Sequence, residues 1–356
     1  MISLYYIIAL ITCLYACMIA VYAIGWRKQQ LCTEVEVSDK YKASVIVAIR
    51  NEAKHLPTLL TQLQQQTYTH FEAILLNDHS TDESKAVFDS FCDARFLWVE
   101  ANDYGKKAAI RQAVTIASGS LLLTTDADVT LPPTWIESML KAFEQYRADL
   151  LIGPVTMHSG TIFEKLDYWS LEGTTIGSAA VGWPVLCSGA NLAFTAQWYQ
   201  KCVSYLHFDV PSGDDMFLLE ATRKLKGRVC AFKDKQATVL IKGCSSLSSF
   251  FRQRARWAGK APHYTDTGIC FSSALVAIMQ IVSIVAMVML WWQPYFLFPI
   301  VAKCLVDSLL VGQVARYHHQ MPLMWAFPLM SLLYPVYVLI VLVLTLFPIQ
   351  WKERTL

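Results

Sequence analysis

Residues 121–129 read LLLTTDADV. Three leucines and two threonines in succession have the apolar, β-branched character of a short buried strand. That strand runs directly into Asp126 and Asp128, with Ala127 between them. Side chains two apart on an extended chain share a side, so the two carboxylates can converge on one hard cation through oxygen. Open α/β sheets bind their ligands beyond the carboxyl ends of the strands. A strand ending in two acids is therefore a candidate floor for a metal-bound phosphate ligand. The tripeptide alone is also what a solvated turn contains, so its neighbours decide.

Working outward, residues 43–49 (ASVIVAI) read as a buried strand and 71–76 as a second. Between them, leucines at 56, 59, 60 and 63 form a helical stripe over 55–65, with Pro57 near its first turn. Ser80-Thr81-Asp82-Glu83 has the pattern of a capping box opening a helix toward Phe91. Residues 96–99 read as a third strand and 105–118 as a helix that Gly119 would cap. Beyond the opening stretch, Pro132 and Pro133 start a helix through Tyr146. Strands alternating with helices of this length predict a mostly parallel α/β sheet.

The polar residues cluster after these strands. The first strand ends in Arg50-Asn51-Glu52, the second in Asn77-Asp78-His79, the fourth in Asp126-Ala127-Asp128. Three acidic strand ends in one sheet would face one crevice. Lys106 and Lys107 follow Gly105 at a helix start, where a cation and free N–H groups can meet an anion. Taken singly, Glu52 is also a first-turn acid, Asp78 a turn former, and the lysines a solvated face. Their coincidence at one end of a sheet points to a nucleotide-diphosphate pocket.

The rest of the chain is unusually apolar. Of 356 residues, 54% are hydrophobic and 16% charged, too few charges for an ordinary soluble protein. A net charge of +2 gives no support to nucleic acid as a partner. The ten cysteines show no CxxC pair, which fits buried thiols in a reducing compartment. Residues 1–26 carry no charge before Arg27 and exceed the roughly 20 residues a membrane crossing needs. Arg27 and Lys28 then predict an uncleaved anchor with the following residues cytoplasmic, joined through a polar linker over 27–42. Residues 244–262 contain CSSLSSFFRQRARWAGK, an Arg- and aromatic-rich amphipathic helix suited to a membrane interface. Over 269–349 come apolar spans at 269–292, 294–314 and 323–347, the last interrupted by Pro328 and Pro335. Those prolines permit a kinked or re-entrant segment, and Lys352 and Arg354 suggest a cytoplasmic tail, so the number of crossings stays open. Lys303 and Asp307 lie four apart inside the second span, where a charge pair is functional, bundle-facing or simply self-neutralising.

Four motifs in order resemble the inverting family 2 glycosyltransferases of GT-A fold, in particular the membrane-integrated branch of cellulose, chitin and hyaluronan synthases. The resemblance spans residues 43–257. VIVAIRNE (45–52) is similar to the family's first-strand motif, which usually has Pro where Ala48 stands. LLNDHSTDES (75–84) resembles its second-strand acidic motif, with Asn77 in place of a frequent Asp. LLLTTDADV resembles its DxD, and QRARW (253–257) its QxxRW. The acid pair Asp214-Asp215, in VPSGDDMFLL, stands where the family has two acids, the second being the base.

The resemblance implies a GT-A catalytic domain over 43–243 that takes a sugar nucleotide, most readily a UDP-sugar, with Mg2+ or Mn2+. It implies that Ala48, Arg50, Glu52, Asp78, Lys106 and Asp126 bind the nucleotide sugar, and that Asp128 ligates the metal. Asp215 would be the general base. Gly189, Ala190 and Asn191 of LCSGANLAF (186–194) would lie with Asp214, Gln253, Arg256 and Trp257 around the diphosphate and acceptor. Residues 164–183 read as an amphipathic helix on the acceptor side. The expected protein is a multi-pass enzyme of a bacterial plasma membrane, in contact with membrane lipids and passing sugar to a lipid or growing glycan. Two other classes stay open: a sugar nucleotidyltransferase, and a membrane protein such as a transporter or partner subunit with a degenerate nucleotide site.

Overall fold

A computed structural model describes residues 2–29, 41–210, 212–348, 350–351 and 354–355; most of the expected linker lies outside them. The first half contains α1 (Ile2–Lys28), β1 (Ala43–Ile49), α2 (Leu56–Gln64), β2 (Phe71–Asn77), α3 (Ser84–Asp89) and β3 (Phe96–Glu100). It continues through α4 (Lys106–Ile116), β4 (Leu121–Thr125), α5 (Trp135–Tyr146), β5 (Leu150–Ile152) and β6 (Val155–Ser159). There follow α6 (Ile162–Ala180), β7 (Leu192–Phe194), α7 (Ala196–Cys202), α8 (Asp214–Lys224), β8 (Val229–Ala231) and β9 (Val239–Lys242). The chain then runs through α9 (Leu247–Ala258), α10 (Thr267–Met289), α11 (Leu297–Tyr317) and α12 (Phe327–Leu344).

Seven strands form one mixed sheet in the order β3-β2-β1-β4-β7-β5-β8. β1 pairs in parallel with β2 and β4, Ile49 lying opposite Asn77 and Val47 opposite Thr125. Their carboxyl ends therefore open at one edge, as the alternation of strands and helices requires. All five residues of β4 are buried, which explains the absence of polar alternation in its sequence. The expectation of a mostly parallel sheet holds, with one strand as the exception. The three-residue β7 runs antiparallel between β4 and β5. A strand that short carries no readable period. The parallel pair β6 and β9 forms a separate small sheet.

Local chemistry departs from expectation at two further places. The Ser80–Glu83 box does not cap α3, whose first residue follows Glu83 without a side-chain cap. Instead Asp82 accepts from the Ala53 N–H at 2.9 Å and Ser80 Oγ from the Asn51 N–H at 3.0 Å, fastening the loop after β1 to the loop after β2. Gly119 does not end α4, which is closed by Ala117 in an extended conformation. The Gly119 N–H donates to Ser44 Oγ at 2.9 Å, and a Cβ there would fall 2.6 Å from that oxygen.

Among the described residues, four helical segments are long and apolar enough to cross a membrane: Ile2–Lys28, Thr267–Met289, Pro294–Tyr317 and Met321–Leu344. α12 is one helix with Pro335 inside it, not a re-entrant hairpin. α1 is more than a tether. It crosses α6 where Gly25 faces Gly177, so closely that a Cβ on Gly25 would lie 2.1 Å from the Gly177 carbonyl oxygen. Its last turn is held by Lys233, whose ammonium donates to the Trp26 carbonyl at 2.6 Å, a favourable place for a cation at a helix C-terminus. α6 is thereby sandwiched: Gly173 packs on Leu310 and Val314 of α11, while Tyr168 and Glu172 line a cavity.

Candidate active site

The cavity has a volume of about 650 Å3 and opens at the carboxyl edge of the sheet. It is lined by Ala48 at the end of β1, by Arg50 and Glu52 just after it, and by Asp78 after β2. Asp78 is fixed from two sides, since its Oδ1 accepts the Gly105 N–H at 3.0 Å and its carbonyl accepts from Arg50 Nη1 at 2.9 Å. Glu52 is buried, with His55 Nδ1 2.8 Å from its carboxylate. Asp126 and Asp128 continue the lining from the end of β4, and Asp128 is exposed to it.

Ser188, Gly189 and Ala190 of the loop over 188–191 also line the cavity. Thr124 of β4 donates to the Gly189 carbonyl at 3.2 Å, drawing this loop against the acid-bearing strand. Gly189 meets the start of α8, where a Cβ would sit 2.9 Å from Asp214 Oδ2 and 3.1 Å from Lys106 Nζ. No larger side chain fits without displacing that ion pair. Asn191 does not line it, which corrects the expectation drawn for that residue. Its side chain is fully buried, donates to the carbonyls of Pro154 and Ala237 at 2.8 and 2.9 Å, and accepts from Trp135 Nε1 at 2.9 Å. With those bonds made it is a core pin beneath the loop.

Asp214 and Asp215 open α8 behind Gly213, whose φ of +93° suits glycine. Lys106 lies 2.7 Å from Asp126 and 3.1 Å from Asp214, so one ammonium joins the end of β4 to the start of α8. Burial alone would lower the Lys106 pKa. The carboxylates of Asp126, Asp214 and Asp215 outweigh it and hold the pKa above the usual lysine value. Asp215 accepts the Gly189 N–H at 3.1 Å and its own Met216 N–H at 2.7 Å. Its other neighbour is Lys260, 3.4 Å away. Burial pushes the Asp215 carboxyl up, but Lys260, Lys106 and the two N–H donors bring it below the ordinary aspartate value.

Gln253, Arg256 and Trp257 reach the same cavity from α9. Burial pulls Arg256 below the usual guanidinium value, opposed by the charges of Asp126, Asp215, Asp214 and Asp128. The sequence-derived site residues other than Asn191 and Lys107 thus line one space; Lys107 turns away, donating to the His207 carbonyl and lying over the Phe217 ring. Lys260 and Glu172 were not foreseen. Lys260 sits three residues past QRARW, where spacing gave no signal. Glu172, with its carboxylate 2.9 Å from His318 Nε2, is a buried acid in the middle of α6.

Among the described residues, no group of three or more His, Cys, Asp or Glu side chains is arranged to hold a metal. The donor set still fits a hard cation. Mg2+ and ions like it are commonly held by one or two carboxylates completed by phosphate oxygens and water, and Asp126 and Asp128 supply carboxylates at the cavity floor.

Residues 44–201 match the family described as Glycosyl transferase family 2. Glycosyltransferase GlyA of Streptococcus pneumoniae serotype 4 is 31% identical over 114 residues, covering 32% of this chain and 16% of that protein. The undecaprenyl-phosphate 4-deoxy-4-formamido-L-arabinose transferase of Pseudomonas syringae pv. syringae is 32% identical over 109 residues, covering 29% of this chain and 32% of that protein. The chain thus spans well under half the length of either relative. The mannosyltransferase PcManGT of Pyrobaculum calidifontis, solved with GDP-Man and Mn2+, superposes with a TM-score of 0.60 at 16% identity, covering 99% of this chain and 98% of that one. At that identity the likeness is one of fold, here GT-A, with apolar helices at both ends. Over residues 44–201 the chain is thus similar to glycosyl transferase family 2.

Proposed function

We propose that the chain is a membrane-bound inverting glycosyltransferase that moves a sugar from a nucleotide sugar to an acceptor hydroxyl. The observation that carries this reading is the meeting of Asp126 and Asp128 from β4 with Asp214 and Asp215 from α8, and with Arg256 from α9, in one cavity. Asp78 and Glu52 are assigned to base and ribose, and Asp126 to the nucleoside side, steadied by Lys106. Asp128, at the exposed floor, would hold Mg2+ or Mn2+, which supplies charge stabilisation at the diphosphate.

The chain's own groups account for the remaining steps. Asp215 is held as a carboxylate by Lys260 and Lys106, so at neutral pH it is ready to accept a proton. It takes that proton from the acceptor hydroxyl as the oxygen attacks the anomeric carbon. The bond from that carbon to the diphosphate oxygen breaks on the opposite face, which inverts the configuration. Arg256 and Lys106 offset the negative charge left on the diphosphate. Trp257 offers a flat face against which a sugar ring can stack.

A UDP-sugar donor follows from the motif resemblance. A lipid acceptor is supported by the four apolar helices, by the position of α6 between cavity and bundle, and by the relative that acts on undecaprenyl phosphate. The membrane placement, with the catalytic domain on the cytoplasmic side, rests on the same helices and on Arg27 and Lys28 after α1. The test is a screen of nucleotide sugars with the full chain in lipid nanodiscs, reading the released nucleotide. Release of the nucleoside diphosphate supports the transferase. Release of pyrophosphate from a sugar phosphate and a nucleoside triphosphate indicates a nucleotidyltransferase instead. No turnover, with tight nucleotide binding, indicates a non-catalytic subunit.

A further inference from the structure

The middle of QRARW does not face the cavity. Arg254, 4% exposed, turns the other way and meets Asp167 of α6. Arg254 Nε donates to Asp167 Oδ2 at 2.8 Å, and its Nη2 lies 2.7 Å from the same oxygen. The other carboxylate oxygen is taken from a third direction, by the Tyr334 hydroxyl of α12 at 3.0 Å. One buried carboxylate therefore joins three helices. On the cavity side Arg254 Nη1 donates to Gln253 Oε1 at 2.8 Å, and the guanidinium lies 4.2 Å from the centre of the Trp257 ring. Both residues it touches line the cavity.

Aromatic packing reinforces this junction. Phe163 of α6, Phe250 of α9 and Tyr337 of α12 lie with ring centres 5.3 to 6.1 Å apart. The polar chain also continues away from the cavity. Lys303 of α11 lies 5.5 Å from the Tyr334 ring centre and 2.7 Å from Asp307, which accepts from the Tyr15 hydroxyl of α1 at 2.8 Å. The charge pair inside the second C-terminal span is the far end of a network that ends on Gln253 and Trp257.

We propose that Asp167 and Arg254 are positioning residues, locking α9 to the apolar helix α12 so that Gln253 and Trp257 face the donor and acceptor. The proposal rests on the transferase reading for its kinetic consequence, but not for its structural one. A buried guanidinium without its carboxylate has strong reason to move, and α9 is the element that moves with it. Displacing groups that orient a reacting pair lowers turnover without removing the contacts that bind the nucleotide.

The test uses the full chain in nanodiscs with Asp167→Asn and Tyr334→Phe. Hydrogen exchange is read in α9 and in β4, and steady-state kinetics with whichever donor the screen identifies. For Asp167→Asn, kcat should fall about 30-fold with donor KM changed less than about threefold, the pattern of lost orientation. Exchange in α9 should quicken about tenfold while β4 is unchanged, a local opening and not global loss. Tyr334→Phe, which removes one bond, should shift both in the same direction by about threefold. Wild-type kcat in Asp167→Asn, or a loss of kcat with α9 exchange unchanged, overturns the proposal. So does quickened exchange in β4 to the same degree as in α9, which would mark plain instability. If Asp167→Asn does not fold, Tyr334→Phe decides by the same criteria. If no donor turns over, the transferase reading fails by itself, and the α9 exchange still decides whether Asp167 holds this helix.

Discussion

The two halves of the cavity are built in opposite ways. On the side proposed for the donor, most polar groups follow directly from a strand, Arg50 and Glu52 after β1, Asp78 after β2, Asp126 and Asp128 after β4, while Lys106 opens α4. Parallel register brings the strand-end groups to one edge without further instruction. On the side proposed for the acceptor, Gly189, Asp215, Lys260 and Glu172 come from a loop, a helix start, a segment past α9 and the middle of α6. No shared secondary structure aligns them. They meet because tertiary contacts hold them, such as the Thr124 bond to Gly189 and the glycine crossing of α1 on α6. A site built on strand ends is written locally; a site built between packed helices is written across the whole chain.

The sharpest division between the halves should appear at Asp215. Asp215→Asn should lower transfer about a thousandfold, the middle of the range for losing a general base. Affinity for UDP should stay within about threefold of wild type, because the donor side is unaltered. Transfer at wild-type rate would move the base elsewhere.

Asn191 tests the boundary between site and scaffold. Asn191→Ala leaves the carbonyls of Pro154 and Ala237 and the Trp135 N–H without their partner, a cost of about 2–3 kcal/mol in unfolding free energy. It should alter KM for neither substrate once folded. A selective rise in acceptor KM at unchanged stability would return Asn191 to the site.

The smallest effect belongs to the foot of the sheet, away from the cavity. Burial raises the Glu72 carboxyl, but the Ser44 hydroxyl, the Ser118 N–H and hydroxyl, and Lys42 outweigh it and bring it to about 2. A carboxyl depressed on folding contributes stability that is complete above its unfolded value and is lost as pH falls toward the folded one. The gap in unfolding midpoint between the native chain and Glu72→Gln should therefore shrink between about pH 5 and pH 3. A gap constant across that window would show that the carboxylate charge is not what Ser44 and Ser118 hold.

The same contrast governs what could be read in advance. β1, β2 and β4 were legible because buried parallel strands are continuous apolar runs, and their acids because strand ends carry ligands. β7 was not, since three residues carry no period, and it is the strand that leads out of the 188–191 loop. The STDE box was misread because Ser80 serves a neighbouring loop and Asp82 divides its oxygens, one to Ala53 of that loop and one to Ser84 at the start of α3, a choice that depends on the fold. Asn191 looked like a site residue because LCSGANLAF resembles a family segment with Gly and often Asn near the acceptor, and only the three-dimensional surroundings turn its amide inward. Lys260 gave no local sign of its place beside Asp215.

The central claim is that the donor end of the cavity holds a nucleotide diphosphate through a cation at Asp128. Calorimetric titration of UDP, with and without Mn2+, into the native chain and Asp128→Asn tests this most directly. The account predicts that Mn2+ strengthens UDP binding to the native chain about tenfold or more and leaves Asp128→Asn essentially unaffected. Equal enhancement by Mn2+ in both proteins would contradict it.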